Sequence, residues 1–335
     1  MVAGGAYVVQ TYMESRRRQE ERREVEAFLE NTRRAYHLES SLRTGTTTLR
    51  DSIFPGLANQ VEDEFVEIST ILERLRANDP DSKEKKSDLW ADLCVSCLSK
   101  CSALVIYSSI FAVTVRLQLS MIAGQTFHLH QTSFKNLNLT DAEASKTLKK
   151  IPESIQELFL CRIGQTVIMN SLLPESCEAL RRHFKDQAFD LTLAVNEEDL
   201  SSLLMRAINQ SDVIRGKQLI EEIEESLRQE QISDIEDMGI YHQLLDQLVD
   251  VVETPEFTKI VLSSASAMIR EVASHAMNGF DVDGKIPLVK VIPPINKICQ
   301  PDQHSRQGFP DFMSTALTFE TITAFADSIF DTFSL

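Results

Sequence analysis

Apolar residues recur at intervals of three and four along most of the chain, which predicts a protein built from α-helices. From Glu14 to about Tyr36, the apolar positions form one narrow seam while the other faces carry charges of both signs. The seam consists of Val25, Phe28, Leu29, Thr32 and Tyr36. We therefore expect a stalk-like helix that needs support at its far end, with Tyr36, His37 and Leu38 as its anchors.

Small and β-branched residues interrupt this pattern at "TGTTT", residues 44–48, where we expect the chain to turn. A second helix is predicted over 57–77, because six apolar residues share one stripe. They are Leu57, Val61, Phe65, Ile68, Leu72 and Leu75. A polar loop, "ANDPDSKEKK", follows at residues 77–86.

The strongest helical pattern begins after that loop, with Ser87 as the expected N-cap, and continues to about Ala123. Its middle, Cys101 to Val115, contains no charged residue and is apolar on all sides. Those 15 residues extend about 22 Å, against roughly 30 Å of hydrocarbon in a bilayer. We therefore expect a central core helix rather than a membrane span.

Further helices are predicted through the rest of the chain. They cover 142–151 with Asp141 as cap, 153–172, a segment from Pro174, one or two helices in 196–230, 237–252, 255–278 and 319–333. The proline-rich "GKIPLVKVIPPINKIC" indicates a kinked extended or short helical segment. We find no internal repeat and no biased linker, so the body is predicted to be one all-α domain.

The net charge of −16 is spread unevenly over the 335 residues. Residues 1–50 contain nine Lys and Arg against seven Asp and Glu, whereas the remainder contains 25 against 43. An acidic body argues against nucleic-acid binding, which needs a basic surface. The basic start is compatible with a membrane surface.

Cysteine and histidine residues do not form a recognisable metal motif. Cys94, Cys97 and Cys101 lie on one helical face, which favours reduced thiols over disulfides. Neither this group nor His128-Leu-His130 has the four convergent ligands of a zinc site. We also find no phosphate-binding loop, nucleophile elbow or metalloprotease motif, so no cofactor, metal or catalytic activity is expected.

The first 13 residues, "MVAGGAYVVQTYM", carry no charge and precede Arg16, Arg17 and Arg18. A helix of this length spans about 20 Å, too little to cross a bilayer. The segment is either part of a membrane anchor, held with its downstream side in the cytosol by the arginines, or a frayed terminus.

Four stretches together resemble one family, peroxisomal biogenesis factor 3 (peroxin-3). They are "GGAYVV" with "RRAYHLESSLRT", "DLWADL" to "RLQLSMIAG" at 88–124, "ETPEFTKIVLSSA" with "IPLVKVIPPIN", and "FADSIFDTF". The match covers most of the chain and is weakest from 130 to 250. The family's basic lumenal head and about half of its membrane span have no counterpart in the sequence.

The resemblance implies a single elongated helical bundle with a long central helix, preceded by a charged stalk helix and a truncated anchor remnant. Residues 1–13 would be the partial anchor, in contact with peroxisomal membrane lipid, and 14–335 the cytosolic docking domain. The family catalyses no reaction. It docks peroxin-19, the chaperone-receptor for newly made peroxisomal membrane proteins, through that partner's N-terminal amphipathic helix.

The resemblance also implies a docking site. Trp90 matches the family's groove tryptophan and Lys86 a groove lysine, while either Leu72 or Leu75 matches the groove leucine. Leu89 and Leu93 flank Trp90 and are expected to contribute. The residues themselves agree, since Trp is enriched at binding hot spots and amphipathic helices bind in apolar grooves. They also allow a tryptophan that only fills a helix end in the core.

A second function from another class fits the same residues. In it, the chain is a soluble helical scaffold that binds some other amphipathic-helix partner through this surface. A longer transcript that adds apolar residues and a basic start would favour the membrane-anchored receptor.

Overall fold

A computed structural model describes residues 3–77, 85–137, 151–187, 191–210, 221, 238–278, 280, 285–301 and 308–334. The N-terminal half contains α1 (Ala3–Thr48), a π-helix (Leu49–Ile53), α2 (Phe54–Glu64), α3 (Glu67–Ala77), α4 (Lys86–Leu137), α5 (Glu153–Cys161), a second π-helix (Arg162–Leu172) and α6 (Leu173–Asp186). The C-terminal half contains β1 (Ala194–Val195), α7 (Glu197–Gln210), α8 (Met238–Val252), α9 (Pro255–Met277), β2 (Ile286–Pro287), α10 (Leu288–Ile298), a 3-10 turn (Asp311–Met313), α11 (Ser314–Thr318) and α12 (Glu320–Ser334). The predicted all-α fold is confirmed, with one two-stranded antiparallel pair, β1 with β2, as a small addition.

The long helix α4 is the centre of the fold. Its 52 residues extend about 78 Å, and α1, α2, α3, α6, α9, α10 and α12 all pack against it. Every residue from Cys101 to Ile122 is buried, which confirms the predicted core helix. Among the described residues, one helical stretch, Lys86–Thr132, is long and apolar enough to cross a membrane, and its most apolar window lies wholly inside the protein.

The start of α4 differs from the prediction. The helix begins at Lys86, and the Lys85 carbonyl accepts from the Asp88 amide at 2.9 Å. Ser87 is therefore inside the first turn rather than at the N-cap, and its hydroxyl donates to the Asp88 carboxylate at 3.1 Å.

The last helix, α12, packs closely on α4 at Gly124. A Cβ at this position would lie 2.8 Å from the Phe333 Cβ and 2.9 Å from the Phe330 carbonyl oxygen. Only glycine therefore permits the two helices to approach this closely. The last helix itself was predicted at 319–333 and is found at Glu320–Ser334.

The predicted turn at "TGTTT" is wrong, because α1 continues as helix through Thr48. The hydroxyls of Thr46 and Thr47 donate to the carbonyls of Leu42 and Arg43, at 2.9 and 3.0 Å. Both hydroxyls therefore find their hydrogen-bond acceptors within the helix. Gly45 is buried, and a Cβ there would be 3.1 Å from a methyl group of Leu119. Packing on α4 overrides the weak helix propensity of these residues.

The anchoring role expected of Tyr36 is also wrong, since its side chain is 70% exposed. His37 lies inward instead, with ring centroids 5.9 Å from Phe127 and 5.6 Å from His130. Further contacts join Glu30 to Gln131 and Arg34 to Asp331. The domain-facing side of α1 therefore begins near Glu30.

The predicted seam of α1 lies away from the domain. At 100° per residue, its members are on the opposite side of the helix from Ser41 and Gly45, which are buried. Val25, Phe28 and Leu29 are accordingly exposed. The helix runs unbroken from Ala3, so the predicted boundary at residue 13 falls inside it.

The single helix predicted over 57–77 is wrong in one respect, because it divides into α2 and α3. Phe65 has φ −119° and ψ 33°, outside the helical region, and ends α2. Phe65 is buried at the break, whereas its neighbour Val66 is 67% exposed. The stripe from Leu57 to Leu75 continues across the break, which is why periodicity did not reveal it.

The remaining predictions agree or lie outside the described residues. The 153–172 segment starts as α5 and becomes π-helical from Arg162. The proline-rich segment contains β2 and α10, with Pro293 and Pro294 inside the helix. The helix predicted at 142–151 and most of that at 215–230 fall outside the part that the structure describes.

Candidate docking surface between α3 and α4

The predicted site residues come from two helices that pack against each other. Leu72 and Leu75 are on α3, whereas Lys86, Leu89, Trp90 and Leu93 are on the first two turns of α4. We call these six residues the α3–α4 surface. The structure therefore packs the two helices that carry these residues against each other.

Burial divides the α4 members by their helical position. Leu93 is 1% exposed and Leu89 is 7% exposed, so both belong to the core. Trp90 is only partly buried while it packs against that core. Leu89 and Leu93 therefore support the surface from beneath, and Trp90 is the partly accessible one of these three apolar residues.

Burial does not distinguish the two α3 residues of the surface. Leu72 and Leu75 are both partly buried and both pack against the core, together with Ile71. Ile68, one turn earlier, is the buried residue that attaches the helix. Either leucine is compatible with contact to a bound helix.

Basic residues lie at the end of α3 and at the start of α4. Arg74 and Arg76 occupy the last turn of α3, exposed Lys85 precedes α4, and exposed Lys86 is its first residue. The arginines also interact favourably with the C-terminal dipole of α3. Exposed Glu73, Asp88 and Asp92 lie among these basic residues, so this end carries charges of both signs beside an apolar centre.

The N-terminal end of α3 is held in place by contacts that the sequence did not reveal. Arg181, on α6, donates to the Glu64 carbonyl and forms an ion pair with Glu67, Nε to Oε1 at 3.2 Å. Its guanidinium carbon lies 4.1 Å from the Phe65 ring centroid. Ser96 of α4 donates to the same Glu67 oxygen at 3.2 Å. No local motif could link residues 67 and 181, which are 114 positions apart.

Within the described residues, no group of three or more histidine, cysteine or acidic side chains is placed to hold a metal ion. Cys94, Cys97, Cys101, Cys177 and Cys299 are free and buried. Burial raises the pKa of Cys94 and Cys177 to about 12, so these thiols stay protonated at neutral pH. Protonated, buried thiols behave as small packing groups.

Comparison with known proteins finds no matching family model, but it finds relatives over nearly the whole chain. Peroxisomal biogenesis factor 3 of Cricetulus longicaudatus is 22% identical over 362 residues, covering 99% of this chain and 92% of the relative. The proteins of that name from Mus musculus and Homo sapiens are also 22% identical, with the same coverage. This weak but full-length similarity suggests the peroxin-3 family and supports a role in peroxisome biogenesis.

Proposed function

We propose that the chain is a peroxin-3 family member that docks peroxin-19 at the peroxisomal membrane. The observation that carries this proposal is similarity to peroxisomal biogenesis factor 3 along 99% of the chain. Such coverage favours a shared overall role over a shared local motif. The relatives' name describes a biogenesis factor, so we also propose that the chain catalyses no reaction.

The chemistry of the α3–α4 surface supports a helical ligand. An amphipathic helix buries its apolar face in a shallow apolar surface and leaves its polar sides at the rim. Trp90 offers a rigid aromatic that is already partly accessible. Leu72 and Leu75 are on α3, which packs against α4, and Lys86 is exposed at the start of α4. These features fit an N-terminal amphipathic helix of peroxin-19.

The N-terminal part of the chain supports a membrane-proximal position. Helix α1 continues from Ala3 into the domain without a break, and Arg16, Arg17 and Arg18 follow the uncharged start. Arginines at this place favour the cytosolic side of a bilayer. In this arrangement the N-terminal residues contact peroxisomal membrane lipid and the bulk of the chain faces the cytosol.

Direct titration of the chain with peroxin-19 from the same organism tests the proposal. We expect one-to-one binding, and we expect a peptide of the partner's N-terminal helix to compete for it. Peroxin-19 lacking that helix is the control and should bind much more weakly. A folded chain that shows no affinity for peroxin-19 would contradict the proposal, and binding of a different amphipathic helix would favour a scaffold.

A further inference from the structure

Helix α3 is attached to the protein more lightly than its neighbours. Only Ile68 of its eleven residues is fully buried, whereas α2 buries Phe54, Leu57, Ala58 and Val61. Its principal packing partner is α4. With so little buried apolar area, α3 depends on other contacts to fix its position.

The contacts that could fix it are concentrated at the break between α2 and α3. Arg181 satisfies the Glu64 carbonyl, one of the terminal carbonyls that α2 leaves without a helical partner. The same guanidinium pairs with Glu67, in the first turn of α3. A cation at a helix C-terminus and an anion at a helix N-terminus both interact favourably with the helix dipoles. Arg181 therefore links the end of one helix to the start of the next.

The orientation of α3 is defined further by Phe65 and Ser96. The Arg181 guanidinium covers the Phe65 ring, and Ser96 holds the Glu67 carboxylate against α4. Lys100 of α4 pairs with Glu62 and fixes the end of α2 from the same side. The start of α3 is thus held between α4 and α6, whereas its second half carries the leucines of the α3–α4 surface.

We propose that Arg181 is a positioning residue for the α3–α4 surface: it sets the angle at which α3 leaves the break and so the separation of Leu72 and Leu75 from Trp90. This inference rests on the proposed function, because it names the residue that sets the geometry of the proposed docking surface. Arg181 lies on α6 and is not one of the six residues of the α3–α4 surface. It acts on the partner through the placement of α3.

The test substitutes Arg181→Ala and uses Arg182→Ala as the matched control. Arg182 is the next residue of the same helix, its side chain is 70% exposed, and it pairs with Glu178 on its own helix. We expect Arg181→Ala to weaken peroxin-19 binding by about three- to thirtyfold, the range typical of residues that act on a site without touching the ligand. Arg182→Ala should leave the affinity unchanged.

Two readouts separate positioning from general stability. Amide exchange of residues 67–77 should become faster in Arg181→Ala, while exchange in α9 stays as in the parent protein. Arg181→Lys should restore part of the affinity, because a lysine can bond to Glu64 or Glu67 but cannot serve both in the same fork. Unchanged affinity with unchanged exchange in 67–77 would overturn the inference.

Two further outcomes keep the inference distinct from the proposed function. If Arg181→Ala does not fold, Glu67→Gln removes the ion pair from the other side, and it should show the same faster exchange in 67–77. If the parent protein does not bind peroxin-19, the proposed function fails, and exchange in 67–77 still decides whether Arg181 positions α3. If Trp90→Ala weakens binding and Arg181→Ala does not, only the inference fails.

Discussion

At the scale of single residues, α4 shows how polar groups are accommodated in a core helix. Ser108 and Ser109 donate to the carbonyls four residues earlier, Leu104 and Val105, at 2.5 and 3.1 Å. Lys100, 1% exposed, extends its ammonium to the carboxylate of Glu62. Each of these three groups keeps a partner, which reduces the cost of burying it.

His37, on α1, makes the stability of the protein depend on pH. Burial lowers the pKa of His37 below 6.5, so the unfolded chain binds a proton at a higher pH than the folded one. Stability contributed by neutral His37 is therefore present above about pH 6.5 and decreases as the pH falls below it. We expect His37→Phe to reduce the loss of stability between pH 7 and 5.5, measured by urea unfolding.

The control for this prediction is His128→Gln, because His128 lies on α4 next to Phe127, which His37 contacts, but is itself exposed. That variant should retain the pH dependence of the parent chain. An identical pH profile in His37→Phe and the parent would show that His37 contributes nothing to it.

At the scale of elements, the close approach of α12 to α4 depends on Gly124. In Gly124→Ala the new methyl group would meet backbone and Cβ atoms of α12, neither of which can rotate away. We expect a loss of about 1–3 kcal/mol in unfolding free energy, the usual cost of overpacking. Gly239→Ala on α8 is the control, since nothing lies within 4 Å of its new methyl group.

Gly239→Ala should leave the unfolding free energy unchanged or raise it by up to about 1 kcal/mol, because alanine favours helix over glycine. Thermal and urea unfolding of both variants measure the difference. Equal stability of the two variants would mean that α12 does not pack on Gly124 as the structure has it.

The same elements show how far the sequence predicts the fold. The uncharged stretch from Cys101 to Val115 was sufficient to predict the core helix, because burial on all sides removes polar residues from every face. The continuation of α1 through Gly45 was not predictable, since it depends on packing against Leu119. The break at Phe65 was also hidden, because the residue that interrupts the helix is itself apolar and buried.

The candidate site likewise contains residues that were predicted and one that was not. Trp90 and Lys86 were predicted from the resemblance to the peroxin-3 family, and they lie on α4, which packs against α3. Arg181 was not predicted, because its partners Glu64 and Glu67 are far away in the sequence. Long-range ion pairs leave no periodic or local signal, so only the folded arrangement reveals them.

At the scale of the whole molecule, one continuous core connects the helices from Leu49 to Ile322. Arg116 of α4 adds polar links within it, donating to Thr323 at 2.6 Å and to Thr46 at 3.4 Å, and also to the Leu317 carbonyl. The long helix therefore joins the base of α1 to the C-terminal helices. The α3–α4 surface lies at the start of that helix and the C-terminal end of α1 packs along its later part, so we expect α4 to connect the two regions rigidly.

The central claim is that Trp90 binds a partner helix rather than completing the core. Measuring melting temperature and peroxin-19 affinity on one sample of Trp90→Ala tests it most directly, with Tyr36→Ala, an exposed aromatic on α1, as control. We predict a loss of about 2–4 kcal/mol of binding free energy, roughly 30- to 1,000-fold in affinity, with little change in melting temperature. A large fall in melting temperature, with near-normal affinity of the molecules that remain folded, would contradict the account.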